Sequence, residues 1–281
     1  MNYLEALNYG SKILKLNNIQ NSHLDSELLL SEVLNLNREN ILINLNKKLK
    51  KKKFNQFKKL ILRRKNYEPI AYIIKKKEFW KHDFIVNKEV LIPRSETEII
   101  VNKVLNLTKR ETSKQILDVG TGSGCIMISL IKERPRFKGT AIDICKNALN
   151  VAISNAKIHH LENKIKFVNM DIDKLCSNKY DLIVSNPPYI NDIDLKRLDN
   201  NIKLFEPVTA LKAGIDGLNE IRKLIKKSKN LLKINGKLIF EIGKNQVNEV
   251  RKILYSNNFY LNEICKDIQS YPRVIVSTKL S

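Results

Sequence analysis

One stretch near the middle of the chain restricts the possible fold more than any other. An apolar run at 116–119 leads directly into Gly120, Gly122 and Gly124, and a helical pattern begins at the next residue. Glycines at such a turn let the backbone adopt positive φ and approach a ligand closely. A strand, a glycine loop and a helix in this order are typical of a parallel α/β sheet, in which ligands bind beyond the carboxyl ends of the strands.

From residue 115 onward, short apolar runs alternate with helical patterns, which favours a mainly parallel sheet covered by helices on both faces. The predicted strands are 116–119, 139–142, 165–168, 182–185, 237–242 and 274–277. The predicted helices between them are 125–132, 146–158, 218–232 and 246–256. The fold class is therefore predicted to be α/β, with a Rossmann-like sheet.

The first 76 residues carry a different pattern, in which apolar residues recur at helical spacing without any strand signal. Near residue 80, aromatic and apolar residues flank a polar Lys81-His82-Asp83, which predicts a short hairpin. We therefore expect a small all-helical domain over residues 1–76, a hairpin connector over 77–93 and the Rossmann-like domain over 94–281.

The composition excludes several classes of protein. With 43% hydrophobic residues the chain can bury a core, and no apolar run approaches the ~18 residues of a membrane-spanning helix. The four cysteines form no CxxC pair and no metal-like cluster, which is typical of a reduced compartment. We expect a cytoplasmic monomer with no metal site and no membrane association.

The formal net charge of +22 has two interpretations. A strongly basic surface attracts nucleic acid or other acidic partners. However, 40 of the 51 positive residues are lysines, as an AT-rich coding sequence would produce. Eleven of the positive residues lie between Lys47 and Lys65, on a predicted amphipathic helix, and both interpretations stay open there.

The glycine loop indicates a nucleoside-containing cofactor. Asp143 ends the next predicted strand, 23 residues after Gly120, where a carboxylate can accept the hydroxyl groups of a ribose. A dinucleotide fingerprint would place its third glycine at Cys125, whereas this chain has it at Gly124. The pattern G-x-G-x-G, with Asp118 two residues before it, resembles motif I of S-adenosylmethionine-dependent methyltransferases.

The tetrapeptide Asn186-Pro187-Pro188-Tyr189 follows a predicted strand and indicates the chemistry. A planar amino group, in a carboxamide or on a nucleobase, is a poor nucleophile because its lone pair is delocalised. Two acceptors, the Asn186 side-chain oxygen and the Pro187 backbone carbonyl, can hold both N–H bonds and leave the lone pair free for a methyl donor. The prolines fix this geometry in advance, and the Tyr189 ring offers a face for the planar group.

At this point the chain resembles the protein-(glutamine-N5) methyltransferases that modify peptide chain release factors. Besides 118–124 and 186–189, the matching segments are 24–29, 68–73, 91–98, 205–207, 210–211, 214, 216–218, 241–243 and 246. The resemblance implies a helical substrate-binding domain, a hairpin and a Rossmann-like catalytic domain. It also implies transfer of a methyl group to the glutamine of the Gly-Gly-Gln motif in release factors 1 and 2.

The resemblance also assigns roles to residues. The implied S-adenosylmethionine-binding residues are Gly120, Thr121, Gly122, Ser123, Gly124, Asp143, Ile172 and Asn186. The implied substrate-binding residues are Asn186, Pro187, Pro188 and Tyr189, of which Asn186, Pro187 and Tyr189 are the catalytic candidates. Ile172 stands where the family often has an aromatic residue, so apolar contact with the adenine is expected there in place of stacking.

Two other functions stay open. Adenine and glutamine present similar –NH2 groups, so the tetrapeptide also fits nucleic-acid amino methylation. That reaction usually needs a region that flips the target base, and no helix-turn-helix or zinc pattern is present, so direct DNA binding is not expected. A non-catalytic, basic RNA-binding or ribosome-binding protein would have no need of the complete glycine loop, Asp143 and Asn186.

Overall fold

The computed structural model describes residues 1–176 and 179–280, and the chain divides into two compact units. The first unit consists of Met1–Lys76 and Asp199–Phe205. The second consists of Lys77–Leu198 and the chain from Glu206 onward.

The first unit is helical. Its helices before residue 77 are α1 (Tyr3–Leu16), α2 (Ser22–Leu34), α3 (Arg38–Ile43), α4 (Lys51–Lys65) and α5 (Ile70–Ile74). The basic helix α4 buries Phe57 and Ile61 in the core of this unit. Its approach to α1 requires a glycine at position 10, because a Cβ atom there would lie 2.7 Å from the Phe57 ring. The predicted amphipathic pattern of α4 therefore corresponds to a real packing face.

The remaining elements follow in chain order. They are β1 (Lys76–Phe79), β2 (His82–Ile85), α6 (Glu98–Asn106), β3 (Gln115–Val119), α7 (Cys125–Glu133), β4 (Lys138–Asp143), α8 (Lys146–Ile158), β5 (Ile165–Asn169), β6 (Tyr180–Ser185), α9 (Asp192–Lys196), α10 (Asn200–Lys203), α11 (Asn219–Leu231), β7 (Leu232–Glu241), α12 (Val247–Ser256), β8 (Phe259–Lys266) and β9 (Pro272–Lys279). Strands β1 and β2 pair as a two-stranded sheet, as the hairpin prediction required.

Within the described residues, the other strands form one seven-stranded sheet in the order β5-β4-β3-β6-β7-β9-β8. The strands from β5 to β7 are parallel, whereas β9 pairs antiparallel with both β7 and β8. This mostly parallel sheet confirms the predicted α/β class. The six predicted strands are all present, and β8 is a seventh that the sequence pattern did not indicate.

Both faces of the sheet are buried. Ile116 and Leu117 are adjacent in β3 and belong to different core clusters, because successive side chains of a strand point to opposite faces. Helices α6 and α7 supply one cluster, and α11 and α12 supply the other. Because helices cover both faces, the ends of the strands stay accessible. The predicted site lies at their carboxyl ends, which we call the carboxyl edge of the sheet.

Within the described residues, no helix is both long and apolar enough to cross a membrane.

Candidate active site

Three neighbouring parallel strands bring the predicted site residues to one edge. Val119, at the end of β3, pairs with Ile142 of β4 on one side and with Ser185 of β6 on the other. The glycine loop follows β3, Asp143 ends β4 and Asn186 follows β6. The carboxyl edge of the sheet therefore collects both halves of the predicted site.

The glycine loop adopts a conformation that other residues take only with strain. Gly120, Gly122 and Gly124 have φ angles of 69°, 55° and 80°, in the region that L-residues avoid. A Cβ atom at Gly120 or Gly122 would meet nothing within 4 Å, whereas one at Gly124 would crowd Ala152 at 3.2 Å. Two of the glycines thus border open space, and the third permits close packing of α7 against α8.

Asp143 joins the end of β4 to the glycine loop. Its Oδ2 accepts a hydrogen bond from the Gly122 backbone N–H at 2.9 Å, and its Oδ1 accepts one from Cys145 at 2.8 Å. Burial raises the pKa of this carboxyl, and the two backbone hydrogen bonds oppose that change. Because each carboxylate oxygen has two lone pairs, both can still accept a ligand hydroxyl.

Asp118 lies wholly buried in β3, two residues before the loop. Its Oδ2 accepts a hydrogen bond from the Thr121 hydroxyl at 2.7 Å, while its Oδ1 is buried without a hydrogen-bond partner among the described residues. Burial raises the pKa of Asp118 to about 7, against the opposing effect of the Thr121 hydrogen bond. A backbone hydrogen bond from Met127 also acts to lower this pKa.

The raised pKa of Asp118 predicts a pH-dependent stability. The unfolded carboxyl titrates near pH 4, so between about pH 4 and 7 the folded chain binds more protons than the unfolded chain. The contribution of Asp118 to the free energy of unfolding is complete below that window and is lost as pH rises through 7. We expect the free energy of unfolding of the wild type to fall by up to about 1.4 kcal/mol per pH unit relative to Asp118→Asn.

Urea denaturation between pH 5 and 7, without ligand, measures this difference. The control is Asp181→Asn, because hydrogen bonds and charges from Gln115, Lys233 and Lys114 outweigh burial and lower the pKa of Asp181. Asp181 therefore titrates below the window. Its replacement should leave the change of unfolding free energy with pH as it is in the wild type. Identical slopes for wild type and Asp118→Asn would contradict the assignment.

Asn155, which the sequence analysis did not single out, ties the hairpin to the glycine loop. Its side chain is fully buried in α8. The Oδ1 accepts from the Ile85 N–H at 2.7 Å, and the Nδ2 donates to the Ile85 carbonyl at 3.0 Å and the Ser123 carbonyl at 2.9 Å. These hydrogen bonds of a buried amide hold the backbone of the glycine loop at Ser123 to that of β2 at Ile85.

The Asn186–Tyr189 segment is held by a second set of side chains. Asn186 Nδ2 donates to Thr97 Oγ1 at 3.0 Å, and Thr97 Oγ1 donates to Glu241 Oε2 at 2.6 Å. The Tyr189 hydroxyl donates to Glu241 Oε1 at 3.0 Å. Within the described residues, neither Asn186 Oδ1 nor the Pro187 carbonyl accepts a hydrogen bond. Both predicted acceptors are thus available.

Gln246 holds the backbone of the same segment, and the sequence analysis had noted it only as a point of resemblance. Its Nε2 donates to the Tyr189 carbonyl and to the Gly217 carbonyl, each at 3.0 Å. Its Oε1 accepts from the Gly243 N–H at 2.8 Å. One amide therefore connects the tetrapeptide to the loop before α11 and to the end of β7.

Ile172 lies in a turn after β5 and is only 5% exposed, among the apolar residues of one core cluster. This burial leaves little of its side chain for a ligand, and its contact with adenine stays a prediction. In the described part of the chain, no group of three or more His, Cys, Asp and Glu side chains is arranged to hold a metal ion.

The fold and the glycine loop define the class of protein. Residues 96–203 match the family model described as "Methyltransferase small domain", and residues 5–74 match the "PrmC N-terminal domain". A solved structure of a methyltransferase from Pyrococcus furiosus has the same fold, with a TM-score of 0.53 and 16% identity over 71% of this chain and 89% of its own. The second unit is a methyltransferase fold.

Relatives among curated proteins give the family. A release factor glutamine methyltransferase of Clostridium acetobutylicum is 36% identical, and the match covers 99% of both chains. A bifunctional methyltransferase of Rickettsia felis is 37% identical over 99% of this chain, which spans only 58% of that longer relative. The chain belongs to the release factor glutamine methyltransferase family, as the sequence resemblance predicted.

Proposed function

We propose that this protein transfers a methyl group from S-adenosylmethionine to the side-chain amide nitrogen of a protein glutamine. The substrate we propose is the glutamine of the Gly-Gly-Gln motif in peptide chain release factors 1 and 2. The observation that carries the proposal is the pair of free acceptors, Asn186 Oδ1 and the Pro187 carbonyl, beside the glycine loop. A carboxamide nitrogen has two N–H bonds to match them.

The residues at this edge fit the proposed cofactor. No described atom beyond the glycine and its chain neighbours lies within 4 Å of a Cβ built at Gly120 or Gly122, so a ligand can approach the backbone of the glycine loop there. Asp143 would bind the ribose hydroxyls, and the loop from Gly120 to Gly124, with Asn186 and Ile172, would line the rest. S-adenosylmethionine supplies a methyl group on positively charged sulfur.

The residues of the site act by positioning the substrate amide, and not by acid–base chemistry. Asn186 Oδ1 and the Pro187 carbonyl accept hydrogen bonds from the two N–H groups of the glutamine amide. This arrangement leaves the nitrogen lone pair free to attack the methyl group. The Tyr189 ring packs against the planar amide, and its hydroxyl stays protonated because burial and the charge of Glu241 raise its pKa. The nitrogen becomes acidic once methylated and loses its proton to water, so no general base is required.

The proposal is tested with isotopically labelled S-adenosylmethionine and three substrates in parallel. We expect label in a wild-type release factor and none in its variant with alanine at the Gly-Gly-Gln glutamine. Double-stranded DNA is the third substrate. Label in the DNA, or equal label in both release factors, would replace protein-glutamine methylation with another reaction.

We further propose that the helical first unit binds the release factor. If its basic surface steers that encounter, reversal of exposed charges on α4 should slow association. Lys51, Lys52 and Lys59 are suitable because they are exposed, whereas Lys58 lies over the Phe54 ring and Lys53 donates to the Val33 carbonyl. We expect the triple lysine-to-glutamate variant to associate on the order of tenfold more slowly at low salt.

Stopped-flow kinetics at rising ionic strength checks this expectation. The deficit should shrink with added salt, because the Debye length falls from about 10 Å at 0.1 M to about 3 Å at 1 M. A matched variant reverses Lys109, Lys226 and Arg251, which are exposed on the second unit. An association rate of the α4 variant equal to that of the wild type at every salt concentration would favour compositional drift as the origin of the charge.

A further inference from the structure

Glu241 is a buried carboxylate at the end of β7, and its side chain serves two residues of the site at once. Its exposed fraction is 1%, and Thr97 beside it is 2% exposed. One carboxylate oxygen accepts from Thr97 Oγ1 at 2.6 Å and the other accepts from the Tyr189 hydroxyl at 3.0 Å. Glu241 and Thr97 are both polar and buried, at a cost in free energy that their hydrogen bonds must offset.

The polarity of these bonds determines which end of the Asn186 amide faces away from Thr97. Burial raises the pKa of Glu241, while hydrogen bonds from Thr97 and Tyr189 and the charge of Arg273 oppose that rise. In its ionised form the carboxylate only accepts hydrogen bonds, so the Thr97 hydroxyl donates its single hydrogen to Oε2. Toward Asn186 the Thr97 oxygen can then act only as an acceptor, and Nδ2 donates a hydrogen bond to it. The Nδ2 end of Asn186 is therefore held at Thr97, and Oδ1 remains available.

The opposite orientation would remove a catalytic acceptor. With Asn186 rotated by half a turn, Nδ2 would face the substrate, and a donor would meet the N–H bonds of the glutamine. Oδ1 would then face the Thr97 oxygen, whose proton is already donated to Glu241. Two facing acceptors without a proton between them are unfavourable when buried.

We propose that Glu241 and Thr97 are positioning residues that fix the orientation of the Asn186 amide, and that Glu241 also fixes Tyr189 through its hydroxyl. This inference rests on the proposed function, since it assigns a task to Asn186 in accepting a substrate N–H bond. The two residues act through Asn186 and Tyr189 and do not touch the reacting atoms.

The closest test compares Thr97→Val with Thr97→Ser. Valine keeps the branched shape and removes the hydroxyl, whereas serine keeps the hydroxyl and removes a methyl group. We expect Thr97→Val to lower kcat for methyl transfer about tenfold, the loss of one hydrogen bond that orients a catalytic group. Thr97→Ser should restore kcat to within about twofold, and neither variant should change the Kd of S-adenosylmethionine beyond about twofold.

Two further variants separate positioning from simple loss of stability. Glu241→Gln keeps the shape but cannot accept from both hydroxyls through its oxygen alone, so we expect a kcat loss like that of Thr97→Val. Ser277→Ala removes another buried hydroxyl of the same sheet, which donates to the Leu238 carbonyl at 3.1 Å. That control should lower the Tm and leave kcat unchanged. A Thr97→Val enzyme with wild-type kcat would overturn the proposal.

A spectroscopic measurement keeps this test independent of the substrate. In protein labelled with ¹⁵N at asparagine, the Asn186 amide signal is assigned by its absence from Asn186→Asp. We expect that signal to move in Thr97→Val and Glu241→Gln and to stay in Thr97→Ser. An unmoved signal in Thr97→Val contradicts the proposed hydrogen-bond relay from Glu241 through Thr97 to Asn186. If the signal moves and wild-type enzyme labels no release factor, the proposed substrate is wrong and the relay stands.

Discussion

Replacing Asn186 with alanine is expected to lower the rate of methyl transfer by on the order of 100-fold or more, the usual effect of deleting one preorganised hydrogen-bonding group from an active site. The lost oxygen orients the nucleophilic nitrogen only during reaction, so the effect should fall on kcat. The affinity for S-adenosylmethionine, measured by calorimetry, should change only a few fold. The Asn186 amide bonds only Thr97 among the described residues, so the substitution leaves the sheet intact.

The companion variant, Asn186→Asp, separates hydrogen bonding from charge. It keeps an acceptor oxygen but adds a negative charge near a cationic cofactor, and it places a carboxylate against the Thr97 oxygen. We expect tighter cofactor binding together with slower transfer. Near-normal turnover in Asn186→Ala would exclude Asn186 from the mechanism.

Removing the Asp143 carboxylate is expected to weaken S-adenosylmethionine binding by about 1.5–3 kcal/mol, or about 10–150-fold in Kd. The loss should arise from ribose hydrogen bonds and from the Gly122 N–H, which would lose its acceptor. Isothermal titration calorimetry of Asp143→Ala against the wild type measures the change. Nicotinamide dinucleotides should not compete in either protein.

Asp181→Ala is the matched control, because this carboxylate lies near the start of β6, away from the carboxyl edge. It accepts from the Gln115 N–H at 2.8 Å and from Lys233 at 3.0 Å. Its removal deletes the same charge from the same sheet and should leave cofactor affinity unchanged. If Asp143→Ala binds as tightly as the wild type, the ribose assignment is wrong.

Periodicity predicted the parallel part of the sheet well because those strands are buried on both faces and appear as continuous apolar runs. Strand β8 was not predicted because it lacks this burial on both faces. It pairs with β9 alone in the described sheet, and its residues Tyr260, Asn262 and Glu263 are not buried. An edge strand of mixed polarity carries little hydrophobic signal, so its pairing partner decides its structure.

The candidate site was predictable where the chemistry lies in one short segment. The glycine loop and the Asn186 tetrapeptide each indicate a candidate role through their local residue types. Thr97 and Glu241 do not, because they are 144 positions apart and meet only through the fold. In the sequence, Glu241 stood out only as part of the matching segment 241–243, and its contacts with Thr97 and Tyr189 follow from the fold.

The position of β9 in the sheet has a consequence for how the domain assembles. β9 follows β8 in the chain but lies between β7 and β8, and Val274 of β9 pairs directly with Glu241. Strand β8 therefore cannot form its pairing with β9 until the segment after it has been synthesised. During translation, Glu241 gains its pairing partner Val274 only after β9 has been synthesised. Nascent chains that stop before residue 272 should accordingly carry the complete glycine-loop sequence but lack the strand that pairs with Glu241.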